Sequence, residues 1–334
     1  MRGPSRGLPL ELRELAAAAR GFAARWMPFT SRVLTGLGIA LAIFYWWLLT
    51  STGGKPADAW AYWSANPAAL YPTGDDWRAT NYVYSPAFEL LAGVTRTIPF
   101  ETFMAVYRAL LLGIVVYLAG PFTLVVLVLF PVASEVNAGN IQLLLAVAVI
   151  ASFRWPAAWA FVILTKLTPG VGLLWFVLRR QWRHVAIALG VTGLITVATA
   201  IIWPDRWAGF IHLLTAYAPP TPDPWYLPLW ARLPFAVAIL VIGAWRNWRW
   251  TVVAGSALAL PIYWSISPSM LVGVLPYLRT AVGQWVRTPD DRRAAGGDRR
   301  RSWRDLRQLR PGEASSAEPL PQQPVRNAGA ILDR

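Results

Sequence analysis

Apolar residues gather into runs separated by short polar segments from residue 33 to residue 284. The runs fall at 33–50, 84–99, 101–120, 121–134, 139–153, 156–178, 184–203, 226–245, 250–265 and 267–284. A helix crossing a bilayer needs about 20 apolar residues, somewhat fewer at the short end of the range. The pattern predicts an all-α polytopic membrane protein, a bundle of about ten transmembrane helices. Short or Pro/Gly-broken spans are tolerated only inside a bundle or against a cavity. Helices at 84–99, 121–134 and 139–153 are therefore expected to be shielded by neighbours. The segment 121–153 also reads as a re-entrant hairpin.

Composition agrees with a membrane bundle. Mean hydropathy is +0.41 and charged residues are 14%, where a soluble domain carries about 25%. The net charge of +14 comes almost wholly from Arg, because Lys55 and Lys166 are the only lysines. Basic residues sit in the two tails and in short loops: Arg2, Arg6, Arg13, Arg20, Arg25 and Arg32, then Arg179, Arg180 and Arg183, then Arg246 and Arg249, then the tail from Arg287. With ten spans all four clusters fall on one side, the cytoplasm. Both termini are then cytoplasmic, and loops 51–83 and 204–225 face outward. The basic balance is spent on topology, so no nucleic-acid partner is expected. The Ala/Arg/Gly/Pro/Trp bias is that of a high-GC bacterium, which points to a bacterial plasma membrane.

Three regions follow. Residues 1–32 form a basic leader, longer than the n-region of a cleavable signal, in which 8–25 reads as an interfacial helix. Residues 33–284 form the bundle. Residues 285–334, rich in Arg and Pro, read as a disordered tail. The absence of Cys rules out disulfides and thiolate chemistry. With only His184 and His212, no His-rich metal site is expected, and no cofactor.

Acidic residues are scarce between 33 and 284: Asp58, Asp75, Asp76, Glu89, Glu101, Glu135, Asp205 and Asp223. Five of these eight lie in the two outer loops. The first loop adds Lys55, Arg78, Trp60, Tyr62, Trp63, Tyr71, Trp77, Tyr82 and Tyr84. Aromatic faces beside carboxylates suit sugars, whose ring faces stack while their hydroxyls hydrogen-bond. An aromatic belt at the interface accounts for a single Trp but not for the carboxylates. Asp58 also suits a helix N-cap. The second loop repeats the theme with Asp205, Arg206, His212 and Asp223. Lys166 lies inside an apolar run, where a charge costs about 2.5–3.5 kcal/mol and marks a functional suspect. Pro169 three residues later is expected to break the helix and open a polar pocket. Snorkelling, or pairing with Glu135, is the structural alternative for Lys166.

The outer-loop Asp58 is followed by LYPTGDDWRATNYVYSPAFELL, VNAGNIQLLL and LTKLTPGVGLLWFVLRRQWR. In order and spacing these segments, over roughly residues 35–200, resemble glycosyltransferase family 87. That resemblance implies a GT-C-type membrane enzyme. Such an enzyme transfers mannose or arabinofuranose from a polyprenyl-phosphate sugar to a glycolipid or polysaccharide acceptor outside the membrane. It implies Asp58 as the base, a Tyr-x-Tyr-x-Pro element at Tyr82, Tyr84 and Pro86, and a Lys-x-x-Pro element at Lys166 and Pro169. The family's Gly-Gln-x-Asn element stands here as Gly139, Asn140, Ile141 and Gln142, with the amides exchanged.

On this reading Asp58 takes the acceptor hydroxyl's proton, and a single displacement inverts the anomeric centre. Lys166, Lys55, Arg78, Arg154 and Arg206 are the candidate cations for the donor phosphate. Tyr62, Trp63, Asp75, Asp76, Tyr82, Tyr84, Asn140, Gln142 and His212 are the candidate sugar or acceptor contacts. Membrane lipids surround the bundle. The competing readings are a transporter or flippase of lipid-linked sugars, and a non-catalytic scaffold subunit.

Overall fold

The computed structural model of the chain describes residues 10–71, 82–216 and 227–286, and every regular element among them is helical. Met1–Gln284 form one unit and Trp285–Arg334 a second. From residue 287 the expected tail lies outside the described residues.

Helix α1 runs from Leu10 to Ser51 without interruption, with Pro28 inside it. The expected interfacial helix and first span are thus one element. Residues 10–25 are almost entirely Ala, Leu, Arg and Glu, the strongest helix formers, so nothing ends the helix before the apolar run begins. Helix α2 (Ala57–Trp63) and α3 (Glu89–Thr95) are short. Helix α4 (Phe100–Ala119) passes through a 3-10 turn at Gly120–Phe122 into α5 (Thr123–Val128). Then come α6 (Phe130–Ala138), α7 (Gln142–Ser152), α8 (Ala158–Thr165), a 3-10 segment Thr168–Gly172, and α9 (Leu173–Leu178). The chain continues through α10 (Trp182–Ile202), α11 (Pro204–Ala216), α12 (Leu229–Arg246), α13 (Trp250–Leu258), a 3-10 segment Ser267–Val274, and α14 (Leu275–Val286).

Among the described residues four helices are long and apolar enough to cross a membrane: Gly21–Ser51, Phe100–Val128, Trp182–Ile202 and Leu229–Arg246. A fifth candidate is α6 with α7, bent by 102° at residues 139–141. The other expected spans are apolar but broken. The run 84–99 holds only the seven residues of α3. Expected spans 101–120 and 121–134 are replaced by one run to Val128, which stops where Leu129 turns extended before Pro131. The run 156–178 breaks at Lys166, 250–265 is helical only to Leu258, and 267–284 begins as the 3-10 segment Ser267–Val274 before α14. The breaks fall beside Pro86, Pro131, Gly139, Pro169, Pro261 and Pro268, which end helices while leaving hydropathy high.

Burial sorts these helices. Only 11% and 17% of the apolar windows of Gly21–Ser51 and Trp182–Ile202 are buried, against 56% for Phe100–Val128. The long helices α1 and α10 therefore lie outside, with Phe44, Trp47, Leu194 and Ile201 exposed as a bilayer-facing surface requires. The broken helices fill the core with Leu143, Ala146, Trp159, Trp175, Phe176 and Val252. Helix α1 approaches at Gly38, where an added Cβ would stand 2.6 Å from Thr123 Cβ.

Two guanidiniums, Arg232 buried and Arg279 exposed, tie the bundle together. Arg232 donates to the carbonyls of Leu227 (2.6 Å), Leu258 and Leu260 (2.9 Å), closing the end of α13. Arg279 of α14 donates to Tyr117 and Leu118 at 3.2 and 3.3 Å, the last carbonyls of α4. Gly120 leaves the room, since a Cβ there would lie 2.6 Å from Arg279 Cζ.

Candidate functional site

The bend between α6 and α7 builds the site. Gly139 caps α6 in the left-handed region (φ 65°) and its N–H returns to the Glu135 carbonyl at 2.9 Å. Glycine takes that conformation without strain. It is also needed for space: a Cβ would sit 2.8 Å from Ala59 Cβ, so α2 rests directly on the turn.

Asp58 precedes Ala59. Its Oδ2 accepts a 2.8 Å hydrogen bond from Asn140 Nδ2. The amide is oriented because Asn140 Oδ1 accepts from the Ile141 N–H at 2.7 Å. Its backbone is held too, with the Tyr107 hydroxyl donating to the Asn140 carbonyl at 2.9 Å. Pro56, not Asp58, is the N-cap of α2, and Asp58 stands in the first turn. The cap alternative is thereby set aside: the carboxylate reaches across to the turn between α6 and α7. Burial pushes the Asp58 carboxyl above its ordinary value, while the Asn140 hydrogen bond and the Lys166 charge act to lower it.

Lys166 lies in the expected break, in extended backbone (φ −140°, ψ 111°) directly after α8. Its charge acts on both Asp58 and Glu135. Yet it makes no ion pair within 4.0 Å with either among the described residues, so the expected alternative of a Glu135 pair is not formed. Glu135 is fully buried: Oε1 accepts from the Leu143 N–H at 3.2 Å and Oε2 has no partner. Gln142 is equally buried, with both amide atoms unpartnered. Three motif positions and two carboxylates thus meet around one turn, with hydrogen-bonding capacity left open.

The Tyr-x-Tyr-x-Pro element is structural framing for this turn. The hydroxyls of Tyr62 and Tyr84 lie 3.1 Å apart, Tyr82 donates to the Ser85 carbonyl (2.9 Å), and Tyr71 donates to the Tyr84 carbonyl (2.8 Å). Ser85 Oγ bonds the Leu164 carbonyl at 2.5 Å, fastening the element beside Lys166. Tyr62, Tyr82 and Tyr84 are 3%, 2% and 5% exposed. Their faces pack on one another and on Phe88, so in this arrangement they offer no stacking surface for a sugar.

The other expected positions scatter. Trp63, half-buried, donates from Nε1 to the Ile98 carbonyl at 2.9 Å. Lys55 is exposed over the Trp60 ring at 4.2 Å. Arg154 is exposed at the far end of α7, over Trp155. His212 is exposed on α11 and has no part in the cluster. Asp75, Asp76 and Arg78 lie outside the described residues. Arg206 is already engaged, at 3.3 Å from Glu89, whose other oxygen binds Arg96. This triad joins α11 to α3 and stands apart from Asp58.

Sequence reading named Glu135 only as the alternative partner of Lys166 and missed Tyr107 and the Glu89 triad altogether. Glu135 carried a usable signal, a carboxylate inside an apolar stretch. Tyr107 carried none.

A family model, that of glycosyltransferase family 87, matches residues 82–272. The match begins after Asp58 and runs past the 35–200 window in which the resemblance was read. No curated protein and no solved structure matches the chain. The matched segment exceeds half of the 334 residues and contains the Tyr82–Pro86, Gly139–Gln142 and Lys166–Pro169 elements around the site. This helical, membrane-apolar chain belongs to glycosyltransferase family 87, a family of membrane glycosyltransferases.

Proposed function

We propose that the protein moves a mannosyl or arabinofuranosyl residue from a polyprenyl-phosphate sugar to a glycolipid or cell-envelope glycan at the outer membrane face. The observation that carries this reading is Asp58, held by Asn140 under the charge of Lys166. Asp58 accepts the proton of the acceptor hydroxyl as that oxygen bonds to the anomeric carbon. The bond from that carbon to the phosphate oxygen breaks, the electron pair leaves with the polyprenyl phosphate, and the centre inverts. Lys166 offsets the charge that grows on the departing phosphate. A cation without an ion-pair partner is suited to that task, and its place in a helix break inside the bundle suits a donor whose tail lies in lipid.

The finer topology belongs to the same proposal. Ten passes, several of them broken, form a GT-C-like bundle with both termini in the cytoplasm of a bacterium. Outer loops 51–83 and 204–225 receive the acceptor.

Membranes containing the protein are given radiolabelled polyprenyl-phosphate mannose and, separately, polyprenyl-phosphate arabinose. Label entering glycolipid or glycan with wild type, and not with Asp58→Asn at equal protein level, is the expected result. Equal transfer by both proteins removes Asp58 from its role. Donor crossing the bilayer without sugar transfer would favour the transporter reading instead.

A further inference from the structure

A pocket of about 540 Å³ opens far from Asp58, at the start of α10. Its walls are Arg154 and Pro156 from the α7–α8 connection, Arg180 and Gln181 from the α9–α10 connection, and Trp182, Arg183, His184 and Ile187 from the first turns of α10. Helix α10 has 21 residues, so its ends stand about 30 Å apart. The far end leads into α11 and the Arg206–Glu89 pair. The pocket and the outer-loop contacts therefore occupy opposite ends of a membrane-length helix.

Three guanidiniums converge here, and none forms an ion pair with a carboxylate among the described residues. At the start of α10 the Trp182 and Arg183 N–H groups have no acceptor among the described residues, while the His184 N–H donates to the Gln181 carbonyl at 3.0 Å. Gln181 at the N-cap supplies no side-chain cap. The helix dipole adds partial positive charge.

Arg180 supplies an independent sign. It stands in the left-handed region (φ 55°) at the end of α9, with the Gln181 N–H returning to the Phe176 carbonyl at 2.9 Å. Glycine is the residue favoured at such a helix end. A side chain kept there against its backbone preference points to a task for the side chain. Topology alone asks for positive charge on this face, not for a cavity or for an arginine at a glycine position.

We propose that this pocket binds the phosphate of an anionic phospholipid headgroup. The arginines and the α10 amides hold the phosphate, as guanidinium forks do. Trp182, 60% exposed, lies at headgroup level, where amphipathic rings settle. Basic pockets between membrane helices take such headgroups. The inference is independent of the transfer reaction.

The test uses the full chain, purified in detergent and stripped of lipid. Phosphatidylglycerol, phosphatidylcholine and inorganic phosphate are added in separate titrations, and bound species are counted by native mass spectrometry. Wild type retains phosphatidylglycerol over phosphatidylcholine. Arg180→Gly and Arg183→Gln each weaken retention about fivefold, and about thirtyfold together. Arg180→Gly suits the turn, so its melting temperature stays at or above that of wild type, which separates lost binding from lost fold. Equal retention of phosphatidylglycerol by wild type and the double variant overturns the proposal, as does equal binding of the two lipids. Binding of inorganic phosphate without either lipid overturns the lipid assignment.

Discussion

Two cations inside this bundle, Arg232 buried and Lys166 half-buried, stand in opposite circumstances. Arg232 is saturated: its guanidinium reaches three backbone carbonyls at the ends of α12 and α13 and lies over the Tyr263 ring. Lys166 is left open, acting on Asp58 and Glu135 through space without a hydrogen bond or ion pair among the described residues. Glu135 Oε2 and the Gln142 amide beside it are also unpartnered. Buried polar groups are ordinarily satisfied. Where the fold uses a charge for its own closure it surrounds it, and around the Gly139 turn it leaves hydrogen-bonding capacity open, which on the proposed function the donor and acceptor take up.

The largest expected effect tests the base. Asp58→Asn lowers the transfer rate by about 10²–10⁴, the range for a lost general base. Its fold survives, because the Asn carbonyl still accepts from Asn140. Burial disfavours the ionised form of Asp58, so thermal unfolding of the variant comes at or above the wild-type temperature.

Next comes the contrast itself. Lys166→Met lowers transfer about 100-fold, the value of a lost charge-stabilising donor, and leaves unfolding unchanged or later. Arg232→Met does the reverse: it orphans three carbonyls and costs about 2–4 kcal/mol of stability, while transfer per folded molecule holds. Melting curves and initial rates on both variants decide it. Equal loss of stability in the two would end the distinction drawn above.

A smaller effect tests the turn. Gly139→Ala meets both a left-handed backbone and Ala59, and costs about 1–3 kcal/mol. Transfer falls as well, because Asp58 rides on the displaced helix. Adding Ala59→Gly removes the clashing atom and recovers part of both losses, measurable as a coupling energy in a double-mutant cycle.

The subtlest effect is on pH. On the proposed mechanism transfer needs the Asp58 carboxylate, so activity falls as pH drops through its pKa. Burial raises that pKa, placing the acid limb of the rate profile above the ordinary carboxylate range. Lys166 acts to lower it, so the residual activity of Lys166→Met loses its acid limb at still higher pH. A limb at the ordinary carboxylate position in both proteins would count against Asp58.

Much of this was legible in the sequence. Scarce carboxylates singled out Asp58, and Lys166 and Pro169 inside an apolar run announced a helix break, which the structure has. Apolar windows misjudged the helices, because hydropathy averages over Pro and Gly while the backbone does not. The 84–99 run kept its hydrophobicity and yielded only α3. Contacts between distant segments were out of reach. Asn140 meets Asp58 across 82 positions, and Arg206 meets Glu89 across 117. No local periodicity encodes either. The aromatic loop was read as a sugar grip from composition, yet Tyr62, Tyr82 and Tyr84 spend their faces on each other.

The Arg279 clasp bears on how the protein is made. The carbonyls at the end of α4 gain their guanidinium partner only from a residue about 160 positions later. During synthesis the first half of the bundle therefore leaves the ribosome with that helix end uncapped, and Gly120 holds open an empty notch. Insertion of α14 fills it. The contact between the two halves of the bundle at this point is thus written last in the chain, and it can form only once Arg279 has been made.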